Sequence, residues 1–363
     1  MNIAYKFRIY PNTEQKVLIA KTFGCVRFIY NKMLGDKIKH YEETKKKLNN
    51  TPAQYKSEFE WLKEVDSLSL ANAQINLQTA YNNFFRDPKI GFPKFKSKKN
   101  NHKSYTTNLV GNNIRIENGH IILPKVKAVK IKQHRDIPDN YKLKSVTISQ
   151  TASGKYYASI LFEYEKEIKE AKINNIVGLD FSMKELYISS DKEFGQYPKF
   201  YRNTQSNLAK EQRKLSKCIK GSNRYYKQKQ KVALLHEKVA NQRKDFLHKA
   251  SRKITNYYDA ICVENLNMKA MSQSLNFGKS IADNGWGMFL EYMKYKLKDV
   301  GKKLIKIDKW FPSSKTCSCC GAVKQSLSLS DRVYVCDCGA ILDRDINAAI
   351  NIKNEGMKIL GII

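Results

Sequence analysis

The chain has 363 residues, 66 of them Lys or Arg and 34 Asp or Glu, for a formal net charge of +32. So large an excess of one sign repels itself in a compact fold until a polyanion neutralises it, which makes nucleic acid the first expected partner and an anionic membrane surface the second. The length allows two or three domains. No apolar run approaches the roughly 18 residues of a spanning helix. MNIAYKFRIYPN lacks the apolar core of a signal peptide, so the expectation is a cytoplasmic protein, nucleoid-associated when bound to DNA, with no membrane partner.

Tyr5–Tyr10 (YKFRIY) alternates polar and apolar residues and predicts a strand that Pro11 ends. Asn12 or Thr13 can cap a helix beginning there. Over residues 14–47, Leu18, Phe23, Val26, Phe28, Ile29 and Leu34 recur at three- and four-residue steps, the helical period. Gly24 interrupts this pattern and predicts two helices or a close contact. A helix-turn-helix reader of DNA and a plain helical bundle would share this periodicity. Ser67–Phe85 predicts a further helix, capped at Ser67 or Ser69. Past it, GFPKFKSKK (91–99) interleaves lysines with aromatics. Lys94, Lys96, Lys98 and Lys99 are candidate phosphate contacts with stacking support, although a solvated linker has the same composition.

Residues 104–165 are β-rich. Ile114–Ile116 and Ile121–Leu123, joined by Glu117-Asn118-Gly119, predict a hairpin. Val129–Lys132, Ser145–Gln150 and Tyr156–Tyr164 continue the series, which suggests a small barrel or sandwich that the strand at 5–10 can join. Residues 166–173 (KEIKEAKI) read as a linker. Ile176–Asp180 is then an apolar run ending in an acid, and Met183–Ser190 reads as its antiparallel partner. Residues 201–256 are helical, with 16 Lys or Arg against 3 Asp or Glu, and Gly221-Ser222 divides them into two helices. Leu208, Leu215, Leu234, Leu235 and Val239 form their apolar stripe. Their excess of positive charge suits nucleic acid better than a merely solvated face, and Lys227, Lys229 and Lys231 are candidate contacts. Tyr258–Glu264 is a second buried strand ending in an acid. Trp286–Val300 predicts an amphipathic helix and Lys303–Ile307 a strand.

Five of the eight cysteines fall in the stretch Ser313–Ile352. Cys317-x-x-Cys320, fifteen intervening residues and Cys336-x-Cys338 approach the spacing of a zinc ribbon, with the second knuckle one residue short. Each cluster ends in Cys-Gly, where glycine lets the backbone turn and aim its amides at sulfur. Cys317, Cys320, Cys336 and Cys338 are therefore the expected ligands of one structural Zn²⁺, and Cys319 is left over. Buried or disulfide-forming cysteines are the alternative, which a reducing cytosol disfavours. Cys25, Cys218 and Cys262 are expected to pack in cores. Beyond the ribbon, Asp343 is placed to cap a helix on which Asp345, Ala348, Ala349 and Ile352 share one face.

Asp180 and Glu264 thus terminate two apolar strands, and Asp345 opens a helix. A crossover through residues 201–256 would make the two strands parallel neighbours whose C-terminal ends coincide. Three carboxylates meeting there repel one another unless cations intervene, and hard oxygen ligands select Mg²⁺ or Mn²⁺. Two such ions would suit phosphodiester cleavage in the manner of RNase H. Arg344, next to Asp345, is a candidate contact to the scissile phosphate.

The stretches VGLD (177–180), DFLHKAS (245–251), VENLNMKAM (263–271), SSKTCSCCG (313–321) and CDCGAILDRDINAAINI (336–352), with YKFRIYPN and FPKFKSKK, resemble the TnpB (OrfB) family of insertion-element proteins, relatives of type V CRISPR effectors. The resemblance spans essentially the whole chain. It implies an α/β, RNase H-like (RuvC) nuclease domain over 173–363 with a zinc ribbon inserted at 311–341. It also implies an N-terminal wedge-like β-barrel over 1–12 and 100–170, carrying a helical recognition insertion over 13–99. Asp180, Glu264 and Asp345 match the catalytic acids of the family. The implied partners are a guide RNA from the element's end, a double-stranded DNA target and a companion transposase. A nuclease-inactive repressor, or a transposase or recombinase accessory protein, is the alternative activity. The shortened knuckle and Cys319 depart from the pattern without touching the acids.

Overall fold

The computed structural model describes residues 1–99, 102–274, 278, 283–328 and 330–362, in two compact units, Met1–Lys166 and Glu167–Ile363. The expected start of the second barrel segment, residue 100, lies outside the described residues.

The first unit is built on β1 (Asn2–Tyr10), whose alternation buries Phe7 and Ile9. The other strands are β2 (Lys103–Asn108), β3 (Arg115–Glu117), β4 (His120–Leu123), β5 (Lys127–Lys132), β6 (Lys142–Gln150) and β7 (Tyr156–Glu163). They pair antiparallel in the order β2-β6-β7-β1-β5-β4-β3. Where the sequence suggests a small barrel or sandwich, the described residues form one seven-stranded antiparallel sheet with open edges. Among the described residues β2 and β3 do not pair with each other, and β3 offers only three residues with which to do so.

Between β1 and β2 stand α1 (Thr13–Thr44) and α2 (Ser67–Arg86). Their buried side chains join those of the strands in one core. The break expected at Gly24 does not occur: α1 runs unbroken for 32 residues. A helical glycine costs about 1 kcal/mol, which the burial of Phe23, Cys25, Val26, Ile29 and Tyr30 around it outweighs. Asn12 and Gln15 close a capping box, each side chain accepting from the other's amide. The expected serine caps of α2 are also corrected. Asp66 is the N-cap, its carboxylate accepting from the amides of Leu68 and Ser69. Up to residue 46 the chain forms one strand and one long helix, and the next α-helix begins at Ser67.

The second unit is a helix–sheet–helix sandwich. Its sheet has the order β11-β10-β8-β9, from β8 (Ile176–Phe181), β9 (Tyr187–Ser189), β10 (Ala260–Glu264) and β11 (Lys303–Ile307). β8, β10 and β11 are parallel, and β9 returns antiparallel to β8 over three residues, shorter than the expected strand at 183–190. The crossover from β9 to β10 is the expected helical pair, α3 (Phe200–Ser216) and α4 (Asn223–Tyr257). Gly221 between them takes φ +90°, and Ser222 caps α4. α5 (Met268–Ser274) and α6 (Trp286–Asp299) come next, then the β12 (Val333–Val335)–β13 (Ile341–Asp343) hairpin of the ribbon and α7 (Arg344–Ile359).

Alternation along β8 and β10 assigns the two faces. Val177, Leu179, Ile261 and Val263 pack with Leu247 and Ile254 of α4 and Trp286, Phe289 and Met293 of α6. Gly178 and Cys262 face α7. A methyl group at Gly178 would collide with the Ala349 carbonyl oxygen, and one at Gly356 with the Cys262 sulfur. Glycine on both partners therefore lets α7 lie directly on the sheet.

Candidate active site and cysteine cluster

The parallel register brings the predicted acids to one sheet end. Val263 pairs with Leu179 and Glu264 with Ile307, so Asp180 and Glu264 come next to each other on neighbouring strands. Asp345 lies in the first turn of α7, which Asp343 caps by accepting from the amides of Asp345 and Ile346. Their proximity appears in their electrostatics. Burial pushes the Asp180 carboxyl well above its ordinary value, and the charges of Glu264 and Asp345 push it further; the Phe181 amide and Arg344 pull the other way. Burial also raises Glu264, against a hydrogen bond from Ser313.

Two arginines stand as counter-charges beside Asp345. Arg344 Nη2 lies 3.1 Å from Asp345 Oδ1, and Arg332 Nη1 3.9 Å from Asp345 Oδ2. Arg344 also donates to the Ser328 carbonyl, so this candidate phosphate contact is engaged by the protein itself. A half-buried carboxyl raised by desolvation and two like-charged neighbours is a site that gains from a cation, and an all-oxygen donor set fits a hard divalent ion.

The cysteines are drawn closer than the acids. Cys317, Cys320, Cys336 and Cys338 place their sulfurs within 4.8 Å of one another, and among the described residues no other group of three or more His, Cys, Asp or Glu side chains is drawn so tightly. Cys317–Cys338 is 3.7 Å and Cys320–Cys336 is 3.6 Å, sulfur to sulfur. Four thiolates bound tetrahedrally at about 2.3 Å from a metal would lie about 3.8 Å apart, so the set fits a zinc-sized ion. Disulfides would hold sulfur at about 2.05 Å, and all eight cysteines are free.

The local sequence builds this cluster as two tight turns, the second one residue shorter than the first. The carbonyls of Cys317 and Cys336 accept from the amides of Gly321 and Gly339, which take φ +77° and +89°, and the chain returns to them through Ala322 and Ala340. Burial pushes the Cys317 thiol up, but the amides of Cys320 and Cys319 aimed at its sulfur outweigh this and bring it down to about 6. Cys319 thus contributes its backbone, while its side chain is exposed and outside the cluster. At Cys338 the Ala340 amide lowers the thiol, yet its neighbours Cys320 and Cys336 push it up to about 12.

Three polar residues without a sequence motif of their own join the two sites. Ser313 donates its hydroxyl to Glu264 Oε1. Asn351 donates to the carbonyls of Ser313 and Thr316, at 2.8 and 2.6 Å. Asn347 donates to the Thr316 carbonyl at 2.7 Å and accepts from the Ser318 amide at 3.0 Å. Both asparagines are buried on α7. Soon after the acid, α7 therefore grips the start of the ribbon, and Ser313 near that start holds Glu264. The signal in the sequence is the pair of asparagines at i and i+4 inside an otherwise apolar face.

Of the candidate nucleic-acid contacts, Lys94, Lys98 and Lys99 are exposed. Lys96 is tied to α1: its ammonium lies 3.9 Å from the Tyr30 ring centroid, and its backbone exchanges hydrogen bonds with Asn31. Lys227, Lys229 and Lys231 are exposed on α4, whose expected stripe is only partly covered: Leu208 and Val239 are buried, whereas Leu234 is 41% exposed.

Three family models match the chain: "Probable transposase" over residues 159–275, "Cas12f1-like, TNB domain" over 286–352 and "Helix-turn-helix domain" over 1–46. A "Putative RNA-guided DNA endonuclease" of Streptomyces pristinaespiralis is 33% identical over 98% of this chain and 89% of its own. A "Putative RNA-guided DNA endonuclease InsQ" of Escherichia coli is 30% identical over 98% and 93%. A Cas12f1 chain, solved with sgRNA and target DNA, shares the fold with a TM-score of 0.62 at 13% identity, covering 98% of this chain and 99% of that one.

Proposed function

The chain belongs to the TnpB (OrfB) family of putative RNA-guided DNA endonucleases, and from that premise we propose that it is a transposon-encoded, RNA-guided DNA endonuclease whose second unit is an RNase H-like (RuvC) nuclease. The observation that carries the reading is the meeting of Asp180, Glu264 and Asp345, from three separate elements, at the carboxyl end of a parallel sheet. Asp180, Glu264 and Asp345 would hold Mg²⁺ or Mn²⁺, which when bound activates water and stabilises the leaving oxygen of a phosphodiester.

The remaining parts fall to the chain itself. Ser313 fixes one oxygen of Glu264 and leaves the other to act as a ligand. Arg344 restrains Asp345, whose backbone position Asp343 sets by capping α7. Cys317, Cys320, Cys336 and Cys338 would hold one structural Zn²⁺ in the ribbon at 311–341. The nuclease unit then runs over 173–363, and the sheet segments (1–12 and 100–170) with their helical insertion (13–99) engage RNA and DNA backbones. Lys94, Lys98 and Lys99 would take phosphates there, and Lys227, Lys229 and Lys231 on α4. Base pairing with a guide RNA would read the double-stranded target, with the protein checking a short flanking motif.

The test is plasmid cleavage with Mg²⁺ by protein carrying its copurified RNA, beside binding measured on the same preparations. Wild type is expected to cut a matched target. Binding without cutting would instead favour a repressor, and joined rather than cut strands a transposase.

A further inference from the structure

The segment after β11 passes directly beside the carboxylates and turns one large aromatic outward. Trp310 is 80% exposed, whereas Trp61 is 41% and Trp286 1% exposed. It does not sit on a frayed tip. Its amide donates to Asp308 Oδ1 at 2.7 Å, and the amide of Phe311 to the Asp308 carbonyl at 3.3 Å. Phe311 packs inward on Cys262, Ile307 and Ile352. Two residues later the Ser313 hydroxyl is bound to Glu264. The backbone is thus pinned on both sides of Trp310 while the indole stands in solvent.

Exposing an indole forgoes the stabilisation that burying a large aromatic side chain contributes. The chain has the means to bury a ring here, because Phe311 next door is packed. Lys309 places its ammonium 4.6 Å from the Trp310 ring centroid, which adds positive charge and leaves the opposite ring face for a flat partner. Trp310 is three residues from Ile307, the strand partner of Glu264, and three from Ser313. An extended chain spans roughly 10 Å in that distance, so the ring lies within a few nucleotides of the acids.

We propose that Trp310 is a stacking platform for an unpaired DNA base, and that with Lys309 it holds single-stranded DNA in register with Asp180, Glu264 and Asp345. The proposal deepens the nuclease reading and rests on it: pairing of a guide with one DNA strand displaces the other, whose bases then offer open faces. Stacking accepts any base, which suits an enzyme whose sequence specificity lies in its guide.

The test has a readout apart from cutting. Full-length, RNA-loaded wild type, W310F and W310A are titrated with oligodeoxythymidylate without divalent ions, and tryptophan emission is followed. Wild-type emission is expected to be quenched and that of W310F not, because Trp61 and Trp286 remain in both. In cleavage with Mg²⁺, W310A is expected to raise KM roughly 5- to 150-fold with kcat changed far less, the equivalent of one stacked base at about 1–3 kcal/mol. W310F is expected to recover most of the loss, since a phenyl ring still stacks. Equal quenching in wild type and W310F overturns the proposal, as does W310A cutting with the wild-type KM. Quenching by oligouridylate but not by oligodeoxythymidylate overturns it by assigning the ring to RNA. A wild type that is quenched by DNA yet never cuts keeps the platform and defeats the nuclease reading.

Discussion

The cysteine cluster and the carboxylate cluster are linked through Ser313, Asn347 and Asn351 and are opposites in construction. The four thiols are delivered by two tight Cys-Gly turns, and two pairs of their sulfurs already stand 3.6–3.7 Å apart, near the spacing of a bound tetrahedron. The three acids come from β8, β10 and α7, stand wider apart than the sulfurs, and two of them, Glu264 and Asp345, raise the proton affinity of Asp180. Backbone amides stabilise negative charge in the first cluster. In the second, burial and like charge resist it at Asp180, and among the described residues the Phe181 amide, Ser313, Arg344 and Arg332 act against them. A closed set of soft donors holds an ion as a structural part. An open set of repelling hard donors holds ions that keep free positions for substrate.

The largest expected effect would break the symmetry between the clusters outright. Asp180→Ala, Glu264→Ala and Asp345→Ala should each lower Mg²⁺-dependent cleavage by about a thousandfold or more while RNA and target binding persist. Because the three act as a unit, a double variant should lose little beyond a single one. Asp343→Ala should be milder, costing about 1 kcal/mol of helix stability through loss of the cap. If Asp343→Ala stops cutting and Asp345→Ala does not, the assignment within α7 is wrong.

Next comes the other cluster. Cys336→Ser should abolish the bound zinc measured by metal analysis and reduce cleavage as well, because the grip of Asn347 and Asn351 on the ribbon transmits its disorder to Ser313 and Glu264. Cys319→Ser should leave the zinc content unchanged, since only its amide faces the cluster. Zinc retained in Cys336→Ser, or absent from Cys319→Ser, would redraw the ligand set.

A smaller change is expected away from both clusters. Reversing Lys227, Lys229, Lys231 and Lys238 should weaken nucleic-acid binding and reduce the slope of log affinity against log salt by about 0.9 for each duplex phosphate that is no longer neutralised. An unchanged slope would leave the tip of α3–α4 as a solvated face.

The smallest effect concerns a buried ammonium that, among the described residues, is held by neutral oxygens. Burial, with Arg252 nearby, brings Lys296 down to about 8 from its ordinary 10.5, although its ammonium donates to the His248 carbonyl and Ser251 Oγ at 2.7 Å each. Between those values the unfolded chain binds more protons than the folded one, so this group makes stability rise with pH across that window. In urea unfolding, the stability of wild type relative to Lys296→Met should therefore rise from pH 8 to pH 10.5. A constant difference would show that the burial does not perturb this lysine.

What the sequence determined by itself is what local physics encodes. Cysteine-glycine spacing announced the ribbon turns, alternation announced β1, and apolar runs ending in an acid announced β8 and β10. Asp343 with small apolar residues after it at helical spacing announced α7. Errors arose where a local preference met a stronger tertiary term. Gly24 has the propensity to break α1, but burial on both sides carries the helix through it. Ser67 and Ser69 are good caps, but Asp66, which Thr107 of β2 also binds, takes that position. Only the tertiary structure decided the remainder. Glu264 and Ser313 are 49 residues apart, and Asn351 and Ser313 38 apart. No periodicity links such pairs, because their contact exists only once β10, the ribbon and α7 have packed together. The outward ring of Trp310 belongs to the same class: only the packed sheet end shows that Phe311 packs inward while the indole stands in solvent.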